Sequence, residues 1–205
     1  MGRRDHANGY QSSERSAGDW VHHGRYALCG ARSKCVAYFP AMPIIVECLH
    51  ADTQMPRRAT EGSAGYDLFA YVRGQRFSCS NGRATWDVEL SPEQGVFMLD
   101  PGTAALIPLG FKAKLPAGIE AQIRPRSGTS FKKGLDIPNA PGTVDSDFPD
   151  EWRVVVRNPL VHPIAIEHGD RIAQMVLARY EVLALEPGTV GVSTDRTGGF
   201  GSTGG

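Results

Sequence analysis

The sequence predicts an all-β domain, a barrel or sandwich of jelly-roll type with one short helix. Three observations lead there. From Pro43 onward the chain falls into short apolar or alternating runs, Gly and Pro punctuate them, and no long amphipathic helix lies between them. "PIIVECLH" starts the pattern. "YVRGQRFSCSNGRATWDVELSPEQG", spanning 71–95, is polar and turn-rich and reads as an elaborated surface hairpin or loop. "TAALIPLGFKAKL", "IEAQIRP", "WRVVVRNP", "HPIAIEHGD" and "RIAQMVLARYEVL" then read as strands or strand pairs bounded by turn residues. The helix is placed at "RSGTSFKKG", with Ser127 as its cap and Gly134 as its end.

Residues 1–42 are rich in Gly, Ser, Arg and His without periodicity, which predicts a disordered extension. Asp5, Glu14 and Asp19 argue against a transit peptide. The β domain is placed at 43–190 with an insertion at about 72–95, and a flexible Gly-rich arm at 191–205. The 205 residues carry a formal net charge of zero, so nothing suggests electrostatic capture of nucleic acid or of a membrane. No apolar run is long enough to span a bilayer, and the N-terminus lacks a secretory pattern, so a soluble intracellular protein is expected. Cys29, Cys35, Cys48 and Cys79 are scattered and read as reduced bystanders. His22 and His23 near two of them are too irregularly spaced to announce a metal centre.

Five stretches combine backbone-exposing glycines with polar groups: "AGYDL", "RPRSG", "NAPGTVDSDF", "GDRIAQ" and "RTGGFGSTGG". In "RPRSG", two arginines beside Ser-Gly at a helix mouth offer forks, a hydroxyl and free N–H groups to a phosphate, or else form a capped turn with solvated arginines. In "NAPGTVDSDF", Pro141-Gly142 predicts a tight hairpin, and Asn139 supplies the donor and acceptor that reading a base edge requires. Asp145 and Asp147 have the same parity on an extended chain, so they are expected to share a face and to orient or deprotonate a water, unless the loop is merely polar. "GDRIAQ" alone is an ordinary turn into a strand. The final stretch is either a frayed tail or an arm over a ligand with phosphates and a flat ring, since a solvated linker has no use for Phe200.

In this order the five stretches resemble the trimeric dUTPase family (deoxyuridine triphosphate nucleotidohydrolases), over about residues 43–204. "GGFGSTG" and "PGTVDSD" are the most specific parts. The resemblance implies a jelly-roll subunit in a homotrimer whose active sites are each built from three chains. "AGYDL", "RPRSG" and "GDRIAQ" would come from one subunit, "NAPGTVDSDF" from a second and the tail from a third. It implies hydrolysis of dUTP to dUMP and pyrophosphate, which keeps uracil out of DNA and supplies dUMP for thymidylate synthesis. Asp145 would activate water for in-line attack on the α-phosphorus. Asn139, with the backbone of Gly142, Thr143 and Val144, would read uracil. Phe148 replaces the usual tyrosine under the deoxyribose, where it would exclude a 2′-hydroxyl. Arg126, Ser127, Gly128 and Gln174 would hold phosphates. In the tail, Phe200 would stack on uracil beside Gly201, with Arg196, Ser202 and Thr203 near the terminal phosphates. Mg2+ would be chelated by the phosphates, with Asp67 reaching it through water.

This chain departs from the family pattern in four places: an Arg196-to-Phe200 spacing one residue short, Pro149-Asp150 in place of Arg-Gly, the 72–95 insertion and the N-terminal extension. The nearest rival, dCTP deaminase, uses a catalytic glutamate and lacks the Gly-Phe-Gly-Ser-Thr-Gly arm. A second rival is a regulatory protein that keeps the nucleotide pocket and signals through its insertion.

Overall fold

The computed structural model describes residues 43–191. The expectations for the N-terminal extension, and for Arg196, Phe200, Gly201, Ser202 and Thr203 in the arm, lie outside the described residues. Strands run in chain order as β1 (Ile45–Cys48), β2 (Arg57–Arg58), β3 (Gly65–Phe69), β4 (Arg76–Ser80), β5 (Thr85–Glu89), β6 (Val96–Leu99), β7 (Ala104–Pro108), β8 (Phe111–Lys114) and β9 (Ile119–Arg124). After the helix α1 (Ser127–Lys133) come β10 (Gly142–Val144), β11 (Arg153–Arg157), β12 (Ile164–Glu167) and β13 (Arg171–Arg179). The fold is the all-β, jelly-roll-like one expected, with its single short helix where the sequence placed it.

Two sheets dominate, a five-stranded one in the order β10-β9-β13-β3-β2 and a four-stranded one in the order β11-β7-β4-β5; β1-β8 and β12-β6 form separate pairs. Both large sheets feed one core. Leu68, Ala121, Ile123, Ala173 and Met175 enter it from the first, and Phe77, Cys79, Ala105, Ile107, Val154 and Val156 from the second. The alternation in "RVVVR" buries Val154 and Val156 while both arginines stay exposed.

Two local expectations change. The 72–95 stretch is a hairpin, β4 paired to β5, closed by Asn81 Oδ1, which accepts the N–H groups of Arg83 and Ala84. It is not confined to the surface, because the alternation in "RFSCS" sends Phe77 and Cys79 into the core and β4 pairs with β7. "TAALIPLGFKAKL" holds two strands, as expected, but they belong to different sheets: β7 pairs with β11 and β4, while β8 pairs with β1. Gly110, at φ +73°, turns the chain between those sheets. Ser127 is the first helical residue rather than the cap. Arg126 occupies the cap position with extended backbone and no side-chain cap bond, and Gly134 ends the helix at φ 69° as expected.

β13 stops at Arg179, short of the "YEVL" expected to continue it. From there to residue 191 the chain has no regular structure, and Val182, Leu183, Leu185 and Val190 are almost wholly exposed. Cys48 is an exposed thiol and Cys79 a buried one, both unbridged. Among the described residues no helix is long and apolar enough to cross a membrane.

Candidate active site

The site begins with strand register. Asp67 of β3 lies opposite Gln174 of β13, and Gln174 lies opposite Arg124 of β9. Residues directly opposite one another in a sheet share a face, so three strands deliver a carboxylate, an amide and a guanidinium in one row, about 5 Å apart from strand to strand. Their neighbours Leu68, Ala173 and Ile123 point the other way, into the core. Sheet parity thus builds a polar row on the outer face of a buried sheet.

Pro125 then ends β9, since it has no N–H to give a ladder, and the chain enters α1. Arg126 reaches back across the turn. Its Nε donates to Asp67 Oδ1 at 2.7 Å and its guanidinium donates to Thr129 Oγ1 at 3.2 Å, while Thr129 donates to the carbonyl of Arg171 at 3.1 Å. Arg171 adds a second guanidinium, 3.4 Å from Asp67 Oδ2. Asp67 is buried, so these two cations compensate a carboxylate that would otherwise be costly to keep there. Gln174 Nε2 donates to the carbonyl of Pro125 at 2.8 Å and fixes the turn from the opposite side.

Asp67, Arg124, Arg126 and Gln174 line a cleft of about 510 Å³ that also includes Ser127 and Gly128. Ser127 and Gly128 are exposed, and the first turn of α1 has no acidic residue to compete with an anion. Gly65 leaves room for Gln174: a Cβ there would collide with Gln174 Oε1, so the glycine lets that amide lie over β3 where a larger residue would displace it. The cleft therefore joins Asp67, Arg126, Ser127, Gly128 and Gln174, as the sequence led one to expect. Arg171 and Thr129 were missed. Arg171 stands in "GDRIAQ" itself, but its reach toward Asp67 depends on an irregular register between Arg171 and Ala173, which strand parity does not foresee.

The second group gathers elsewhere. β10 runs antiparallel to β9, with Gly142 opposite Ile123 and Val144 opposite Ala121. The chain turns before it, but around Pro138-Asn139, where Ala140 N–H donates to the carbonyl of Ile137 at 3.0 Å, and not at Pro141-Gly142 as expected, because Gly142 already belongs to β10. The arm it pairs with is β9, not the chain just before the turn. Asn139 is exposed and its amide lies against the buried Gly142. Asp145 and Phe148, both exposed, line a depression of about 220 Å³ with Thr143, Val144, Trp152 and Arg153.

Asp147 does not share that depression. The chain turns after Asp145, with Phe148 N–H donating to the Asp145 carbonyl at 3.3 Å, so the extended parity that would have aligned the two aspartates is lost. Asp147 lines a different hollow, with Glu47, Lys112 and Lys114. The Asp145 depression and the Asp67 cleft share no lining residue within the chain. Their separation follows from register, because Asp145 comes just past the Val144–Ala121 pair and Arg124 lies three residues, about 10 Å, further along β9.

Comparison with known proteins gives this arrangement a family. A dUTPase family model matches residues 78–204. The chain is 40% identical over 154 residues to the deoxyuridine 5'-triphosphate nucleotidohydrolase of Neorickettsia sennetsu, covering 75% of this chain and 89% of that protein. It is 41% identical over 151 residues to the protein of the same name from Rhizobium meliloti, covering 73% of this chain and 82% of that one. Among solved structures, a point mutant of the dUTPase of Staphylococcus bacteriophage 80alpha, solved with dUpNHpp, superposes with a TM-score of 0.61 at 21% identity, covering 79% of this chain and 98% of that one. That structural likeness bears on the fold alone. The family match and the two relatives carry the wider conclusion: this chain belongs to the dUTPase family.

Proposed function

We propose that the protein hydrolyses dUTP to dUMP and pyrophosphate at sites that combine the Asp67 cleft of one chain with the Asp145 depression of a second. The observation that carries this reading is the cleft itself, where Arg124, Arg126, Ser127, Gly128 and Gln174 converge on one wall in a chain of this family. Guanidinium forks, a hydroxyl and a carboxamide suit the oxygens of a triphosphate. Asp145 makes no ion pair among the described residues, and its exposed carboxylate suits a base. The attacking water gives its proton to Asp145 as its oxygen bonds the α-phosphorus; the bond from that phosphorus to the bridging oxygen breaks, and pyrophosphate leaves with the electron pair.

Specificity belongs to the β10 turn. Asn139 and the backbone of Gly142, Thr143 and Val144 would read the uracil edge, and the exposed ring of Phe148 would lie beneath the deoxyribose and exclude a 2′-hydroxyl. From the arm, Phe200 and Gly201 would cover the base while Arg196, Ser202 and Thr203 meet the terminal phosphates. The homotrimer is supported by the separation of the two depressions and by the exposed apolar residues of 181–191, which ask for a neighbour to cover them.

Asp67 bears on the metal. It is a single carboxylate already engaged by two arginines, and no cluster of three metal-ligating side chains occurs among the described residues. This donor set fits Mg2+ that arrives on the triphosphate and meets Asp67 through water, since Mg2+ retains several waters and binds substrate phosphate readily. When bound, the ion would neutralise phosphate charge. A nucleotide substrate also favours an intracellular location.

Pyrophosphate release from dUTP, UTP, dCTP and dTTP, measured in parallel with Mg2+, tests the proposal. Turnover of dUTP alone is expected; no turnover of dUTP, or ammonia release from dCTP, would contradict it.

A further inference from the structure

A second depression adjoins the phosphate cleft. It measures about 300 Å³, and Arg126 and Gly128 line both hollows. Around it stand Arg126, Lys132, Lys133 and Arg171 as cations, with Asp170 as its one lining carboxylate. Arg126 and Arg171 share Asp67, and Lys133 Nζ bonds Asp170 Oδ2 at 2.7 Å. Lys132 is exposed and makes no ion pair among the described residues. Four cations thus face two carboxylates, and the excess positive charge collects in a hollow rather than on a convex face.

Lysines in the last turn of a helix also offset its dipole, which accounts for Lys132 and Lys133 in isolation. It does not account for the convergence of Arg126 and Arg171 on the same hollow from the cap of α1 and the start of β13. Nor does it explain why the Arg126 guanidinium, held between Asp67 and Thr129, forms a wall common to both hollows.

We infer that this depression is a second anion site and that it takes inorganic pyrophosphate. Two joined phosphates match its size and charge, with lysines acting as point charges and arginines as forks. The choice of pyrophosphate rests on the hydrolysis reading above, in which that product is released on the cleft side of Arg126. The site itself rests on charge and shape alone. Its role is to receive the leaving pyrophosphate across the Arg126 wall and so clear the cleft.

Calorimetry on the full chain separates the two readings. Inorganic pyrophosphate is titrated into protein saturated with dUpNHpp at constant Mg2+, and one further equivalent per chain is expected. In Lys132→Glu, which alters an unpaired exposed residue and should melt like the parent, the affinity of that equivalent should fall by about tenfold or more. No further uptake, or uptake unchanged in Lys132→Glu, overturns the inference. Failure of dUpNHpp to bind would instead count against the hydrolysis reading. Pyrophosphate titrated into unliganded parent and Lys132→Glu then decides the matter, with equal binding overturning the second site.

Discussion

Asp145 stands exposed one residue beyond β10, free of ion pairs among the described residues, so its carboxylate is available to a water. Asp145→Asn keeps the shape and removes the proposed base; turnover of dUTP should fall by about 100-fold or more while KM changes little. Steady-state kinetics checks this, and turnover close to that of the parent would remove Asp145 from the mechanism. Gly65→Ala probes the opposite wall. The added methyl displaces the Gln174 amide, so KM for dUTP should rise, with a smaller loss in kcat. The residue scale is also where the sequence was most legible. Asp67, Arg126, Ser127, Gly128 and Gln174 come from three short motifs, and sheet register gathers them into one cleft. Arg171 was not legible because an irregularity in β13, rather than parity, brings it to Asp67. The Asp145 and Asp147 pairing failed for the same kind of reason: a turn replaced the extended chain on which the parity argument stood.

At the scale of elements, the segment from Leu49 to Gln54 is tied to the β domain by a cluster that responds to pH. His50 stacks on Tyr71 at 4.3 Å, Tyr71 Oη donates to Asp52 Oδ1 at 2.7 Å, and His168 Nε2 lies 3.5 Å from Asp52 Oδ2, with Arg73 and Gln75 alongside. Burial, helped by the Arg73 charge, holds the His168 pKa below the ordinary histidine value of 6.5. The unfolded chain therefore takes up that proton first. The stability contributed by neutral His168 is complete above pH 6.5 and is lost as pH falls through its lower folded value. Tyr71 is pushed up to about 12, chiefly by burial and then by its bond to Asp52, so its contribution is complete below pH 10 and lost between pH 10 and about 12. Melting curves should show Tm falling below pH 6.5 and above pH 10. His168→Gln should flatten the acid limb and Tyr71→Phe the alkaline one; limbs unchanged in both variants would mean that other groups set them. Strands and turns here were readable from alternation and from Gly and Pro. The partners were not, since β13 pairs with β3 and β9 across fifty residues or more and no local pattern encodes that choice. The hairpin of 72–95 was legible as a hairpin but not as part of the core, because its polar face dominates the composition while Phe77 and Cys79 do the packing.

At the scale of the whole molecule, one chain carries an anion cleft and a carboxylate depression that share no residue, and a segment beyond β13 whose apolar side chains lie bare. The proposed symmetric oligomer would resolve both features by setting one copy's depression over another's cleft. Removing the residues after Asp195 should then abolish most dUTP turnover while sedimentation still reports a trimer; full activity in that truncation would mean that the arm takes no part. The central claim, that each site is shared between chains, is tested most directly by mixing two dead variants. Asp145→Asn lacks the proposed base. Gly128→Asp puts a carboxylate among the proposed phosphate ligands, at a position where a Cβ meets nothing within 4 Å and an acidic residue suits a helix N-terminus. Each variant alone should be inactive, and after co-refolding at equal amounts dUTP turnover should return to about a quarter of the parent value, the share of sites that draw an intact cleft and an intact Asp145 from different chains. If the mixture stays as inactive as its parts while still forming mixed trimers, cleft and carboxylate belong to the same chain and the shared site is wrong.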